Sequence, residues 1–420
     1  MAATTSSSSA SAPPPSSSSA SSSPKAKPMP PQFSLDKAIR SNILALLPYR
    51  CARDDYSEGI LLDANENALG HALPPAATLA PFDDLDLHRY PSPTHYDVKQ
   101  RLCQLRNVPS VDHFFLGVGS DEVIDLLYRI TCVPGKDRVL VCPPTYGMYG
   151  VCAQINDVEV VKVNLDVEGG AFRPKVDEIN RTLSEAASTP NPIKLVFLCS
   201  PGNPTGTLIS LDDIRAVLSN PDYQGLVVVD EAYIDFAGED KSAVRLLVEE
   251  GWSNLVVMQT LSKGFGLAAI RLGIAISSPE IIQVLNNIKA PYNISTPTAS
   301  LALRALSPTG LSLFRRNIQT LLENRQFLLT ELPKLDGIVG ILGANEANFV
   351  LAQVGNSRTR VPDNVKAKRA YTHMAEEDKV VVRFRGTEYG CEGALRITVG
   401  TREECERVLE KLRLVLRDDE

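Results

Sequence analysis

Val227-Val228-Val229-Asp230-Glu231-Ala232-Tyr233 is a run of β-branched residues that ends abruptly on two acids. β-Branched side chains favour extended backbone, and an apolar run without alternation is the pattern of a strand covered on both faces. A carboxylate at the end of such a strand is costly to bury unless a cation compensates it. Asp230 is therefore either the N-cap of a following helix or the electrostatic partner of a positive group. Downstream, Leu255-Val256-Val257-Met258 leads into Thr260-Leu261-Ser262-Lys263-Gly264-Phe265-Gly266, with Arg271 beyond it. Upstream lies Ser200-Pro201-Gly202-Asn203-Pro204-Thr205-Gly206.

Further apolar runs of strand length flank these segments. Strands are predicted at 113–116, 138–142, 158–163, 194–199, 226–230, 255–258 and 272–276, with helical patterns at 121–130 and 211–218 between them. This alternation predicts an α/β domain with a mostly parallel sheet, in which ligands bind beyond the carboxyl ends of the strands. Each segment quoted above sits at such an end. After Pro297 the pattern changes to one long helix running through Leu332, strands at 337–342, 348–352, 380–384 and 395–399, and a closing helix over 402–416. Clustering of this kind predicts a second, smaller α+β domain. The division read from the sequence is 1–33 a disordered Ser/Pro-rich tail, 34–75 an N-terminal arm with part of the small domain, 76–304 the large domain and 305–420 the small C-terminal domain.

Composition narrows the function. A net charge of -7 argues against a nucleic-acid or anionic-membrane partner, which would need concentrated Lys and Arg. The eight cysteines include no Cys-x-x-Cys pair, and the five histidines form no His-x-x-x-His pattern, so no metal site is expected. The first 33 residues, almost all Ser, Pro, Ala and Thr, cannot bury enough apolar surface to offset chain entropy. That tail is free of acids, as transit peptides are, but has no arginine before Arg40, which leaves the cytoplasm as the expected location.

The motifs offer three kinds of chemical group. Lys263 follows an apolar strand and is flanked by small residues that allow close approach of a flat ring; the plainer alternative is a solvated lysine. Gly117-Val118-Gly119-Ser120-Asp121-Glu122 joins a predicted strand to a helix whose free N–H groups suit a phosphate, although Gly-x-Gly turns before helices are common. Ser262 and Arg271 can add donors. An amine, a buried anion and a phosphate corner are what pyridoxal 5'-phosphate requires for its Schiff base, its pyridine nitrogen and its phosphate. Asn203 is otherwise a turn residue, and Tyr146 and Tyr233 are otherwise core aromatics. Arg383 and Arg396 demand anionic partners if buried, structural ion pairs being the alternative to a substrate.

From about residue 35 to its end the chain resembles the histidinol-phosphate aminotransferases, class II aminotransferases of fold type I. The resemblance rests on Leu62-Asp63-Ala64-Asn65-Glu66-Asn67, Arg89-Tyr90-Pro91, Cys142-Pro143-Pro144-Thr145-Tyr146-Gly147-Met148-Tyr149, Ala290-Pro291-Tyr292 and Leu395-Arg396-Ile397-Thr398-Val399-Gly400-Thr401. It implies a homodimeric transaminase of histidine biosynthesis that moves an amino group between L-histidinol phosphate and 2-oxoglutarate. Lys263 would hold the cofactor, Asp230 its pyridine nitrogen, Asn203 and Tyr233 its ring oxygen, and Tyr146 its ring face. Ser120, Asp121, Ser262 and Arg271 would frame the phosphate, with Tyr90 reaching in from the partner subunit. Arg396, with Arg383 and Tyr49 nearby, would grip the acidic end of the substrate. Gly202 and Gly264 depart from the residues many relatives carry there, and both changes are to the residue that least obstructs the backbone. The rivals are a related fold-type I enzyme for aromatic amino acids or threonine phosphate, a noncatalytic regulator that senses the cofactor, and a structural protein with a degenerate site.

Overall fold

Residues 33–45 and 85–417 are described in the computed structural model. Seven strands form the central sheet: Phe114–Val118 (β1), Arg138–Val141 (β2), Glu159–Lys162 (β3), Ile193–Cys199 (β4), Leu226–Asp230 (β5), Leu255–Thr260 (β6) and Leu272–Ile276 (β7). Their spatial order is β1-β7-β6-β5-β4-β2-β3. β7 runs antiparallel to both of its neighbours while the other pairings are parallel. The start of β7 therefore lies at the sheet edge where the other strands end.

Continuous apolar runs were the sequence signal for these strands, and the reason is visible in the burial. Along β5, Val227 and Val229 enter one core with Leu116, Val196, Val257 and Ile274, whereas Val228 enters the opposite core with Phe115, Phe197, Val256 and Met258. Successive side chains point to opposite faces, so a strand covered on both sides needs apolar residues at every position. Each of the three valines is fully buried, a gain of roughly 1.5–3 kcal/mol apiece before entropy is counted.

A second sheet comprises Ile338–Leu342 (β8), Phe349–Val354 (β9), Arg383–Phe384 (β10) and Ala394–Thr398 (β11) in the antiparallel order β10-β11-β9-β8. Its own core joins Val350, Ala352, Leu395 and Ile397 to Leu328, Met374 and Leu412 from the helices Pro308–Glu331, Asn364–Glu376 and Arg402–Arg417. A smaller cluster, containing Tyr233, Phe236, Phe314, Ile318 and Phe349, bridges the two sheets.

Two expectations need correction. The single helix expected from Pro297 to Leu332 is two, Thr296–Ala305 and Pro308–Glu331. Pro308 lacks an N–H and forces the preceding Ser307 into extended backbone (φ -71°, ψ 161°), from which its hydroxyl accepts the Gly310 N–H as an N-cap. The strand expected at 380–384 shrinks to its last two residues, because the Val380 N–H bonds the Met374 carbonyl at the end of the preceding helix. The Ser-rich tail up to residue 32, Tyr49 and the 62–67 segment lie outside the described residues. No described helix is long and apolar enough to cross a membrane.

Gly273 sits where β7 passes beneath the start of the helix Gly119–Thr131. A Cβ there would lie 2.2 Å from the Gly119 carbonyl carbon and 2.4 Å from the Ser120 nitrogen. Both are backbone atoms and cannot rotate away. Gly273→Ala is expected to destabilise the protein by about 1–3 kcal/mol, the usual range for overpacking, read as a lowered urea midpoint at unchanged slope. A wild-type midpoint would mean that helix and strand separate freely at this crossing.

Candidate active site

The carboxyl-terminal edge of the main sheet gathers most of the residues singled out by sequence. Asp230 ends β5, Lys263 follows β6, Asn203 follows β4, Gly119 follows β1 and Arg271 precedes β7. Because β5 and β6 are adjacent and parallel, with Asp230 in register with Met258, the turn carrying Lys263 projects beside Asp230.

Asp230 is 3% exposed. Burial pushes its pKa up, and two donors oppose that by favouring the ionised form: the Tyr149 hydroxyl donates to Oδ2 at 2.7 Å and the Ala232 N–H to Oδ1 at 3.1 Å. Among the described residues no cation forms an ion pair with it within 4.0 Å. The Lys263 ammonium is pushed below the ordinary lysine range, first by burial and then by Arg396 and Arg271. A lysine so placed loses its proton more readily and becomes a nucleophile and a base. Its Nζ lies 5.7 Å from the ring centre of Tyr233, which is buried and meets Phe349 edge-on.

The turn from β1 into the helix Gly119–Thr131 is shaped by its backbone. Gly119 has φ +72°, a conformation that side chains disfavour, and its N–H donates to the Arg271 carbonyl at 3.0 Å. A Cβ on Gly119 would stand 2.3 Å from Arg271 Nη2. Glu122 folds back so that its carboxylate accepts the Val118 N–H at 2.6 Å, fixing the helix start. First-turn N–H groups have no partner within their own helix and suit an anion. Asp121 accepts the Tyr146 hydroxyl at 3.1 Å and lies 3.5 Å from Arg271 Nη2. Ser262 accepts a hydrogen bond from the Thr260 hydroxyl at 2.9 Å.

Arg396 brings the second sheet to this edge. From β11 its Nη1 donates to Asn203 Oδ1 at 2.5 Å, its guanidinium carbon is 5.3 Å from the centre of the Phe349 ring, and its buried Nε has no hydrogen-bond partner among the described residues. Arg383 is directly opposite in the β10–β11 register, but its side chain is exposed. Arg385, which the sequence reading passed over, adds to the positive field at Arg396 and pairs with Glu388 at 2.7 Å. Tyr149 was missed as well, although it lies within the quoted segment 142–149. Its only signal was the three-residue spacing from Tyr146. Tyr90 is 52% exposed and stacks on Tyr292 within the chain.

A buried carboxylate without a paired cation, a desolvated amine beside it and a corner from which a Cβ is excluded fit the three charged parts of pyridoxal 5'-phosphate. The chain belongs to the class I and II aminotransferases, whose family model matches residues 57–412. It is 50% identical over 394 residues to the histidinol-phosphate aminotransferase of Schizosaccharomyces pombe, across 92% of this chain and 98% of that protein. To the histidinol-phosphate aminotransferase of Candida maltosa it is 47% identical over 399 residues, across 92% of this chain and 99% of the other. The histidinol-phosphate aminotransferase of Sinorhizobium meliloti, solved in complex with pyridoxal-5'-phosphate, shares the fold with a TM-score of 0.67 at 21% identity, covering 84% of this chain and 90% of that one.

Proposed function

We propose that this chain transfers an amino group between L-histidinol phosphate and 2-oxoglutarate in L-histidine biosynthesis, using pyridoxal 5'-phosphate. The observation that carries the proposal is the placement of Lys263 and buried Asp230 at the ends of adjacent parallel strands, in a chain half identical to a protein of that named activity. When bound, pyridoxal phosphate supplies a carbon that accepts the substrate amine and a ring that withdraws electrons from it. Lys263 Nζ holds the cofactor, then takes the proton from the substrate Cα and returns it during the amino transfer. Asp230 would be the partner of the pyridine nitrogen, and its negative charge would keep a proton there. Tyr146 covers the ring, and Asn203 and Tyr233 serve the ring oxygen. Ser120, Asp121, Ser262 and Arg271 frame the phosphate, joined by Tyr90 of the partner subunit in a homodimer. A large domain over 76–304 and a small one over 305–420 enclose the substrate, and the enzyme works in the cytoplasm.

Arg396, assisted by Arg383 and Tyr49, binds the acidic end of each substrate. That end is a phosphate in one half-reaction and a carboxylate in the other, and a planar guanidinium matches both. Its unpartnered Nε leaves donor capacity for an incoming anion. Arg396→Gln is expected to raise KM for both substrates by about 10–100-fold, the loss of one or two hydrogen bonds to a charged group. Unchanged KM values would remove Arg396 from substrate binding.

The absorbance spectrum of the purified protein, recorded before and after L-histidinol phosphate alone, tests the whole reading. A visible cofactor band that bleaches stoichiometrically supports both the cofactor and the substrate. A band that persists redirects the search to threonine phosphate and aromatic donors, since the arginines select an anion and not an imidazole. Failure to reconstitute any band sinks the cofactor assignment.

A further inference from the structure

Tyr149 is fully buried at the start of the helix Met148–Ile155, and its hydroxyl reaches the Asp230 carboxylate. Its ring stacks on Phe197 at 4.5 Å and meets Tyr146 edge-on at 5.7 Å, while the Tyr128 hydroxyl donates to its carbonyl at 2.8 Å. Ring and backbone are thus both fixed, which fixes the direction of the hydroxyl. Tyr146 and Tyr149 flank a single turn and each donates to an acid of the site, Asp121 and Asp230 respectively.

The titratable groups around Asp230 are Tyr149, Tyr146, Tyr233, Cys199, Asp121 and Lys263. Tyr146 donates to Asp121, and the Cys199 thiol donates to the Pro201 carbonyl at 3.7 Å. Tyr149 supplies the side-chain donor to Asp230, and the Ala232 N–H holds the other oxygen. A carboxylate held at both oxygens is fixed in its plane, and donation to its charged form favours ionisation against the cost of burial.

We propose that Tyr149 is a positioning residue that keeps Asp230 ionised and oriented, and thereby sets how firmly the cofactor's ring nitrogen retains its proton. The proposal rests on the cofactor reading given above. Tyr149→Phe keeps the ring that stacks on Phe197 and removes only the donor, so the apoprotein should fold with a thermal midpoint close to that of wild type.

The test is the 15N chemical shift of the ring nitrogen of labelled pyridoxal phosphate, bound to the wild-type and Tyr149→Phe proteins and followed across pH. In the variant the nitrogen should lose its proton at least about one pH unit lower, with cofactor affinity weakened about tenfold, the effect of one hydrogen bond to a charged group. Identical titrations in the two folded proteins would overturn the proposal. If the wild type holds a protonated ring nitrogen but does not react with L-histidinol phosphate, the substrate reading fails while the Tyr149 comparison still decides its own question. If the wild type binds no pyridoxal phosphate, both fall together.

Discussion

Lys263→Ala should leave a folded protein that takes up pyridoxal phosphate without a covalent link and turns over at least ~10⁴-fold more slowly, the upper range for a positioned proton-transfer group. On the proposed function, two roles go with one nitrogen: attachment of the cofactor and movement of the substrate's Cα proton. Lys263 makes no ion pair within 4.0 Å among the described residues, so removing it breaks no salt bridge there. It also removes a cation from a site that already holds Arg271 and Arg396, both of which depress the lysine's own pKa. The fold should therefore tolerate the change. Product formation followed over hours, with the visible spectrum of the reconstituted variant, gives the answer; turnover within about tenfold of wild type would end the claim that Lys263 moves the proton.

Asp230→Asn should separate stability from activity. Losing one member of a buried charge pair costs about 3–5 kcal/mol, which predicts a fall of roughly 10²–10⁴ in turnover once the ring nitrogen loses its counterion. The apoprotein should move the other way. Folding raises the Asp230 pKa, so the folded state holds this proton more tightly than the unfolded state does. In the ionised form the group disfavours the fold, a penalty absent below the unfolded-state pKa and fully present above the folded one. Asparagine carries no such charge and can still accept from Tyr149. The apo variant should thus melt at or above the wild-type temperature at neutral pH while binding pyridoxal phosphate more weakly. A variant that melts lower without cofactor and retains cofactor affinity would show that Asp230 is a structural acid.

The inner strands of the sheet were legible because they are buried on two faces, which writes them as unbroken runs such as Val227–Val229 and Leu255–Met258. The position of the site followed from parallel topology, since the chemical groups stand where those runs stop. Contacts made across long sequence distances were not legible. Gly264 read only as a residue that permits close approach. In the fold its Cα faces Asp235, where a Cβ would lie 2.4 Å from Oδ2, and Asp235 is held by a buried ion pair with Arg106 at 2.7 Å. No local pattern connects residues 106, 235 and 264. The donation from Tyr149 to Asp230 is hidden for the same reason: it depends on where a helix start sits over a strand end. The break at Ser307-Pro308, by contrast, was written in the sequence and outweighed by the helical pattern on either side of it.

The corner formed by Gly119 and Arg271 also bears on how the molecule is made. A ribosome that has released the chain as far as Lys263 has delivered the amine, both acids and the first glycine turn, yet it has not delivered the backbone carbonyl that Gly119 bonds. That carbonyl arrives with the strand which inserts between β1 and β6 and runs against them. A nascent chain therefore cannot close this corner until Arg271 and the strand that follows it have been made, so the turn after the sheet's first strand is completed by its last.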